Sequence, residues 1–260
     1  MRAEKSVPIN SARAALIVHS ALEALAYALA FVLYRRARSR ETTTAPLSPQ
    51  QNLGLLVGAA VGALVGAKLL AWMETPPGPF FRAGWTPFAL QGKTIVGGLL
   101  GGWVGVEIVK RRLGISRPTG DAVVPAFLAG LAVGRLGCFL AGAFDRTYGI
   151  ATDLPWGVDF GDGVRRHPTQ LYEIVFLGLL AAALTLARRA PRPCGEAFLL
   201  MVAAYLGFRF GVEFLKPRRF LVGWLSAIQL ASLLGAAVAL TLLARRQSAW
   251  VASSRAHARA

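Results

Sequence analysis

The chain has 260 residues, 55% of them hydrophobic and 16% charged, with a mean hydropathy of +0.49, more apolar than a soluble domain with enough polar surface to cover its core. Its formal net charge of +16 would suggest nucleic acid in a soluble protein. Here the basic residues sit in short bursts beside apolar runs, which points to membrane topology and lipid headgroups and sets nucleic acid aside. The two cysteines, Cys138 and Cys194, offer no disulfide framework and no CxxC metal site, and nothing calls for a cofactor or a metal.

Apolar runs of roughly 17 to 25 residues, the length that spans a hydrocarbon core, recur along the chain. The first, about Ala14 to Tyr34, is followed by Arg35, Arg36, Arg38 and Arg40 and reads as a membrane helix rather than a signal peptide. The second, about Leu53 to Trp72, carries Gly54, Gly58, Gly62 and Gly66, and the third, about Thr94 to Val109, carries Gly97, Gly101 and Gly105. These four-residue spacings predict close helix packing. The fourth run, about Ala122 to Leu140, leads into a glycine-rich connection from about Ala141 to Arg166, in which Trp156 and Phe160 suit the membrane interface, as Phe80 and Trp85 do between runs two and three. Runs five, six and seven cover about Leu171 to Ala187, Ala197 to Leu215 and Phe220 to Ala244. The expected fold is an all-α integral membrane protein. About seven transmembrane helices form one domain over residues 1–244, with an external loop over 141–167 and a disordered basic cytoplasmic tail over 245–260.

Basic residues set the orientation. Fifteen lysines and arginines follow runs one, three, five and seven, against eleven on the other side, three of which are Lys216, Arg218 and Arg219. This bias predicts an external N-terminus and a cytoplasmic C-terminus. His19, Glu23, Lys68, Arg135, His167, Gln170, Tyr172, Glu173, Tyr205, Arg209 and Glu213 then fall in the outer half, while Glu107 near the inner end pairs with Lys110 or Arg111 by snorkelling. A charge within a membrane helix costs about 2.5 to 3.5 kcal/mol on an insertion scale, so this layer requires mutual pairing or an outward-facing polar cavity. Tyr205, Arg209 and Glu213, at i, i+4 and i+8, share one helix face within about 80°.

The runs Gly134-Arg135-Leu136-Gly137-Cys138-Phe139, Arg166-His167-Pro168-Thr169-Gln170-Leu171-Tyr172-Glu173 and Tyr205-Leu206-Gly207-Phe208-Arg209, with Glu213 following, resemble the prolipoprotein diacylglyceryl transferase family in order and spacing. The resemblance covers about Gly97 to Glu213 well and the first two helices weakly. It implies a bacterial inner-membrane enzyme that moves the diacylglyceryl group of phosphatidylglycerol onto the lipobox cysteine of a lipoprotein signal peptide and releases glycerol phosphate. Its partners would be these two substrates and membrane lipid. Phospholipid binding and catalysis would fall to Arg135, with Tyr205 and Arg209 beside it and Glu213 and His167 completing the catalytic set. Gly97, Gly98, Gly134, Gly137, Arg166, Gln170, Tyr172 and Glu173 would frame the substrates.

The same chemistry has a physical basis in these residue types. A departing phosphate calls for guanidinium forks in a low-dielectric site, and an attacking thiol with a pKa near 8.5 needs a base or a positive field. Three positions depart from the family pattern. Val96 stands where the family carries histidine before the paired glycines, Cys138 replaces the asparagine of GRxGNF, and His19-Ser20-Ala21-Leu22-Glu23 replaces a tyrosine-glycine pair. The thiol proton would then pass to His167, Glu213, His19 or Glu23, with His167 first because imidazole titrates near neutrality. Alternatives are a different acceptor, or a phospholipid-binding protein without catalysis; transport is disfavoured by the absence of an inverted repeat. Arg209 and Glu213 also fit a helix-stabilising pair, His19 and Glu23 a triad with Lys68, and Cys138 a small buried apolar residue, while Cys194 looks incidental.

Overall fold

The computed structural model describes residues 11–40, 47–74, 92–187, 193–217 and 220–257, with side chains as far as 254. Phe80, Arg82 and Trp85, the arginines at 188, 189, 192, 218 and 219, and the ends of the chain lie outside the described residues. Among those described, seven α-helices dominate: α1 (Ala12–Ser39), α2 (Pro49–Glu74), α3 (Ile95–Arg112), α4 (Val123–Leu140), α5 (Thr169–Ala187), α6 (Glu196–Val212) and α7 (Ala227–His257). Six are long and apolar enough to cross a membrane. The exception, α3, ends in Lys110, Arg111 and Arg112 and carries Glu107, whose carboxylate lies 2.9 Å from Lys110 Nζ; the pair is the one expected from the sequence, but Lys110 is buried instead of snorkelling. Large apolar side chains such as Leu16, Leu64, Leu179 and Leu234 face outward on four different helices, an arrangement suited to lipid as the surrounding solvent.

Glycine decides which helices come closest. A Cβ built on Gly62 would lie 2.2 Å from the Gly101 carbonyl oxygen, and one on Gly101 would lie 2.2 Å from that of Gly62; Gly58 meets Gly105 and Gly66 meets Gly97 in the same way. The α2–α3 contact is therefore backbone against backbone, as the four-residue spacing predicts. A looser version joins α1 to α4, where Gly130 faces Ala26 and Ala30 and Gly137 faces Leu22 and the His19 carbonyl. The core between α3, α4, α5, α6 and α7 is filled by Val96, Leu99, Leu128, Leu177, Val202 and Leu206. Asp121 caps α6 from a distance in sequence, accepting hydrogen bonds from Gly195 N at 2.6 Å and Phe198 N at 2.9 Å. Gly195 permits this turn through its φ of +81°.

Between α4 and α5 the chain makes a 3₁₀ turn at Gly142–Phe144 and a two-residue hairpin, β1 (Val158–Asp159) pairing antiparallel with β2 (Arg165–Arg166). Asp159 Oδ1 accepts from the backbone nitrogens of Gly161, Asp162 and Gly163 and shapes the hairpin tip. Phe160 is buried against Tyr148 and Phe139 instead of lying in an interface. Trp156 stays exposed and donates to the Tyr172 hydroxyl at 2.8 Å.

Two boundaries correct the sequence reading. The seventh helix starts at Ala227, not near Phe220, because Ser226 and Gln229 form a reciprocal capping box: Ser226 Oγ accepts from Gln229 N, and Gln229 Oε1 accepts from Ser226 N. Before it, Gly223 turns the chain with a φ of +57°. At the other end α7 continues to His257, so the stretch from Arg245 is helical where a disordered tail is expected.

Candidate active site

A buried ion cluster joins α4, α5 and α6. Each of these helices is apolar on most of its surface, so the few charged side chains they carry turn inward and meet one another. Glu173 on α5 lies at the centre. Its Oε2 is 2.8 Å from Arg135 Nε on α4 and 3.3 Å from Arg209 Nη1 on α6, while Oε1 accepts a hydrogen bond from the Tyr205 hydroxyl at 2.7 Å. Arg209 Nη2 donates to Glu213 Oε2 at 3.1 Å, at the start of the 3₁₀ turn that follows α6. All five residues are buried, with Tyr205 at 0% exposure and Glu173 at 1%.

Two guanidiniums and two carboxylates cancel in formal charge, which is what permits them to be buried together. The cluster nevertheless keeps donor capacity. Arg209 Nε is buried without a hydrogen-bond partner among the described residues. Lys216, half-buried just beyond the sixth candidate span, adds a third cation on this side. Burial, then the Arg209 and Arg135 guanidiniums, push its amine down to about 7. The sequence reading passed over Lys216 as a loop charge. Its presence on the side that topology leaves poor in basic residues was the available signal.

The residues expected to frame the site divide into groups. Gln170 donates to Thr147 Oγ1 at 3.1 Å and Thr169 to the Thr147 carbonyl at 2.8 Å, tying the start of α5 to the turn after α4. Arg166 holds the hairpin: its Nη1 lies 2.6 Å from Asp162 Oδ1 and its guanidinium covers the Tyr148 ring at 4.9 Å. Tyr172 faces His167, whose Nδ1 is 3.1 Å from its hydroxyl. His167 also pairs through its backbone with Gly149 and Ile150. The interactions of its ring and backbone thus anchor the loop, and the ion cluster of Arg135, Glu173 and Arg209 is built without it. Gly97 is taken up by the contact with Gly66, and Gly137 by the contact with α1, whereas a Cβ on Gly98 would make only ordinary contact with Ala63 and Ala67 and Gly134 has open space beside it.

Val96 is 1% exposed and belongs to the apolar core, so no proton-transfer group occupies that place on α3. Glu23 pairs with Lys93 and accepts from Tyr27 at 3.0 Å. Cys138 is half-buried rather than sealed in an apolar environment, with its sulfur 4.0 Å from Arg135 Nη1.

A cavity of about 1020 Å³ lies towards the opposite end of the bundle. Its walls are mainly apolar, including Leu99, Trp103, Phe198 and Leu234, with Arg38, Arg111 and Arg246 among its polar lining. It contains none of the ion-cluster residues. Phe127 connects the two regions, since it lines the cavity and packs edge-on against the Tyr205 ring at 5.3 Å between centroids.

A family model for prolipoprotein diacylglyceryl transferase matches residues 11–245. A protein of Geobacter sulfurreducens named phosphatidylglycerol–prolipoprotein diacylglyceryl transferase is 35% identical over 203 residues, 74% of each chain. One of the same name from Bordetella avium is 33% identical over 244 residues, 86% of this chain and 90% of its own. With that match covering most of the helical bundle and all five residues of the ion cluster, the chain belongs to the prolipoprotein diacylglyceryl transferase family.

Proposed function

We propose that this membrane protein transfers the diacylglyceryl group of phosphatidylglycerol to the lipobox cysteine of a lipoprotein precursor. The observation that carries this reading is the convergence of Arg135 and Arg209 on Glu173, with Arg209 Nε left without a hydrogen-bond partner among the described residues. In the reaction the cysteine sulfur forms a bond to the glycerol carbon that carries the phosphate. The carbon–oxygen bond breaks, its electron pair stays on oxygen, and glycerol phosphate leaves. Charge builds on that phosphate in a site sheltered from water, where guanidinium donors are most effective. Removing one such donor typically lowers the rate about 10²- to 10³-fold.

The thiol loses its proton as sulfur attacks. Among the expected acceptors, Glu213 is in the cluster and His167 is tied to Tyr172. Glu213 serves as the base in this proposal. Its carboxylate is bound to Arg209 Nη2 at 3.1 Å and is set free for the thiol proton as Arg209 turns to the departing phosphate. The apolar cavity suits acyl chains, with Phe127 between it and Tyr205. The proposed orientation has the N-terminus outside and the C-terminus in the cytoplasm of a bacterial inner membrane, with the ion cluster in the outer half.

A second reading rests on Val96, an apolar residue buried where a proton-moving histidine is expected: phospholipid binding without transfer, or transfer to another acceptor. Purified protein in detergent, given labelled phosphatidylglycerol and a lipobox peptide, separates these readings. The proposal expects labelled thioether peptide and stoichiometric glycerol phosphate. Lipid binding without either product supports the second reading.

A further inference from the structure

At the end of the bundle where α1 begins, three side chains from separate elements meet: His19 of α1, Cys138 of α4 and Asp145 of the turn that follows α4. We propose that they bind one zinc-type divalent cation through His19 Nδ1, the Cys138 thiolate and an Asp145 carboxylate oxygen, leaving a fourth position for water or another small ligand. The donor atoms all lie within 4.8 Å of one another, and His19 Nδ1 is 3.7 Å from Asp145 Oδ1. Tetrahedral zinc with bonds of about 2.0 to 2.3 Å places its ligand atoms about 3.3 to 3.6 Å apart, so modest side-chain adjustment closes the site. Imidazole, thiolate and carboxylate together favour zinc over magnesium or calcium, which take oxygen ligands.

The surroundings supply three further arguments. His19 Nδ1 is buried and has no hydrogen-bond partner among the described residues, as a nitrogen committed to an ion would. The other ring nitrogen, Nε2, faces Glu23 Oε2 at 3.7 Å, and Glu23 is itself held by Lys93 and Tyr27. Asp145 uses its second oxygen, Oδ2, to accept from the Thr147 hydroxyl. Metal-bound histidines and carboxylates are oriented by such outer partners. Charge also balances: Lys93 offsets Glu23 and Glu173 faces Arg135, so the dication would be neutralised by Asp145 and the thiolate. Binding releases the thiol proton to solvent as the sulfur–metal bond forms. The ion would clamp α1 to the end of α4, one turn from Arg135.

The sequence hides this site because its ligands stand at positions 19, 138 and 145 with no short spacing motif. Protein purified without a histidine tag, stripped with chelator and titrated with cobalt(II) in detergent, provides the test. Wild type is expected to take one cobalt ion per chain, with a sulfur-to-cobalt charge-transfer band and the visible bands of a tetrahedral ion, and equimolar zinc should displace it. Cys138→Ser should remove the charge-transfer band and His19→Gln should abolish stoichiometric binding. Glu23→Gln, which leaves all three ligands in place, should weaken binding about 10- to 100-fold. Monodispersity and helical circular dichroism report folding independently of activity. Folded wild type without the band overturns the proposal and leaves a histidine–carboxylate pair; a band that persists in Cys138→Ser overturns it equally.

Discussion

Glu173 and Arg135, on neighbouring helices and both buried, face each other at 2.8 Å, and the same carboxylate oxygen serves Arg209 at 3.3 Å. One anion therefore holds two cations together, and its removal leaves those cations to repel. Glu173→Ala is expected to destabilise the protein by about 3 to 5 kcal/mol, the usual result of breaking a buried ion pair. Thermal unfolding in detergent measures it, and a change below about 1 kcal/mol would show that the guanidiniums are paired elsewhere.

Arg209 reaches two carboxylates at once, Glu173 through Nη1 and Glu213 through Nη2. Lysine keeps the charge but cannot span both, so Arg209→Lys should retain the fold and lose about 100-fold or more in transfer rate. Arg245→Ala, an exposed change near the end of α7, should leave the rate within about twofold on the same mass-action scale. Equal effects of the two substitutions would mean that Arg209 contributes only structure.

The meeting of Arg135, Tyr205, Arg209 and Glu213 was legible because charges in apolar helices have few places to go and the i, i+4, i+8 spacing fixes their face. Glycine spacing disclosed the α2–α3 contact for a similar reason: a four-residue repeat aligns small residues on one stripe. The remainder depended on contacts that neither local pattern encodes. Glu173 was assigned to the frame of the site although it is the hub, since nothing near it in sequence names its partners. His167 stood out by its titration range, but the backbone pairing of the loop directs its ring to Tyr172. Cys138 read as apolar because its chain neighbours are; the turn after α4 brings Asp145 back to it. The late start of α7 was written in Ser226 and Gln229, but the apolar residues before them masked the cap.

The α2–α3 contact predicts a steep difference between glycines of one helix. A methyl group on Gly101 would meet the Gly62 carbonyl oxygen at 2.2 Å, whereas one on Gly98 finds its nearest neighbour at 3.7 Å. Gly101→Ala should destabilise by about 1 to 3 kcal/mol, as overpacking does, and Gly98→Ala by less than about 0.5 kcal/mol. Unfolding midpoints of the two variants in one detergent provide the comparison. Similar midpoints would show that the helices separate without penalty.

Topology is tested outside the site. The proposed orientation places Gly161 of the hairpin outside and Ser248 of α7 inside, so single cysteines introduced there, in a background lacking Cys138 and Cys194, should label from opposite sides of intact cells. Labelling of both from one side would remove the outward-facing site from the proposal.

Lys216 gives the reaction a pH dependence with a definite sign. Its amine is pushed down to about 7 from an ordinary value of 10.5, first by burial and then by Arg209 and Arg135. Below pH 7 it carries a third positive charge towards the cluster; above pH 7 it is neutral. The protonated amine therefore favours glycerol phosphate at pH 6 over pH 8, against the ligand's own titration, which makes the phosphate more negative as pH rises and favours pH 8. Folding shows the reverse trend. Between pH 7 and 10.5 the unfolded chain holds the Lys216 proton and the native protein does not, so this group makes stability rise with pH across that window. Lys216→Arg keeps the charge throughout and Lys216→Met never carries it, so both should show only the phosphate's own gain in affinity from pH 6 to pH 8, Lys216→Met from the weaker starting point, while wild type should gain less or lose affinity over the same range. Calorimetric titration of the three proteins with glycerol phosphate decides the matter: parallel pH profiles for wild type and Lys216→Arg would remove this amine from the phosphate site.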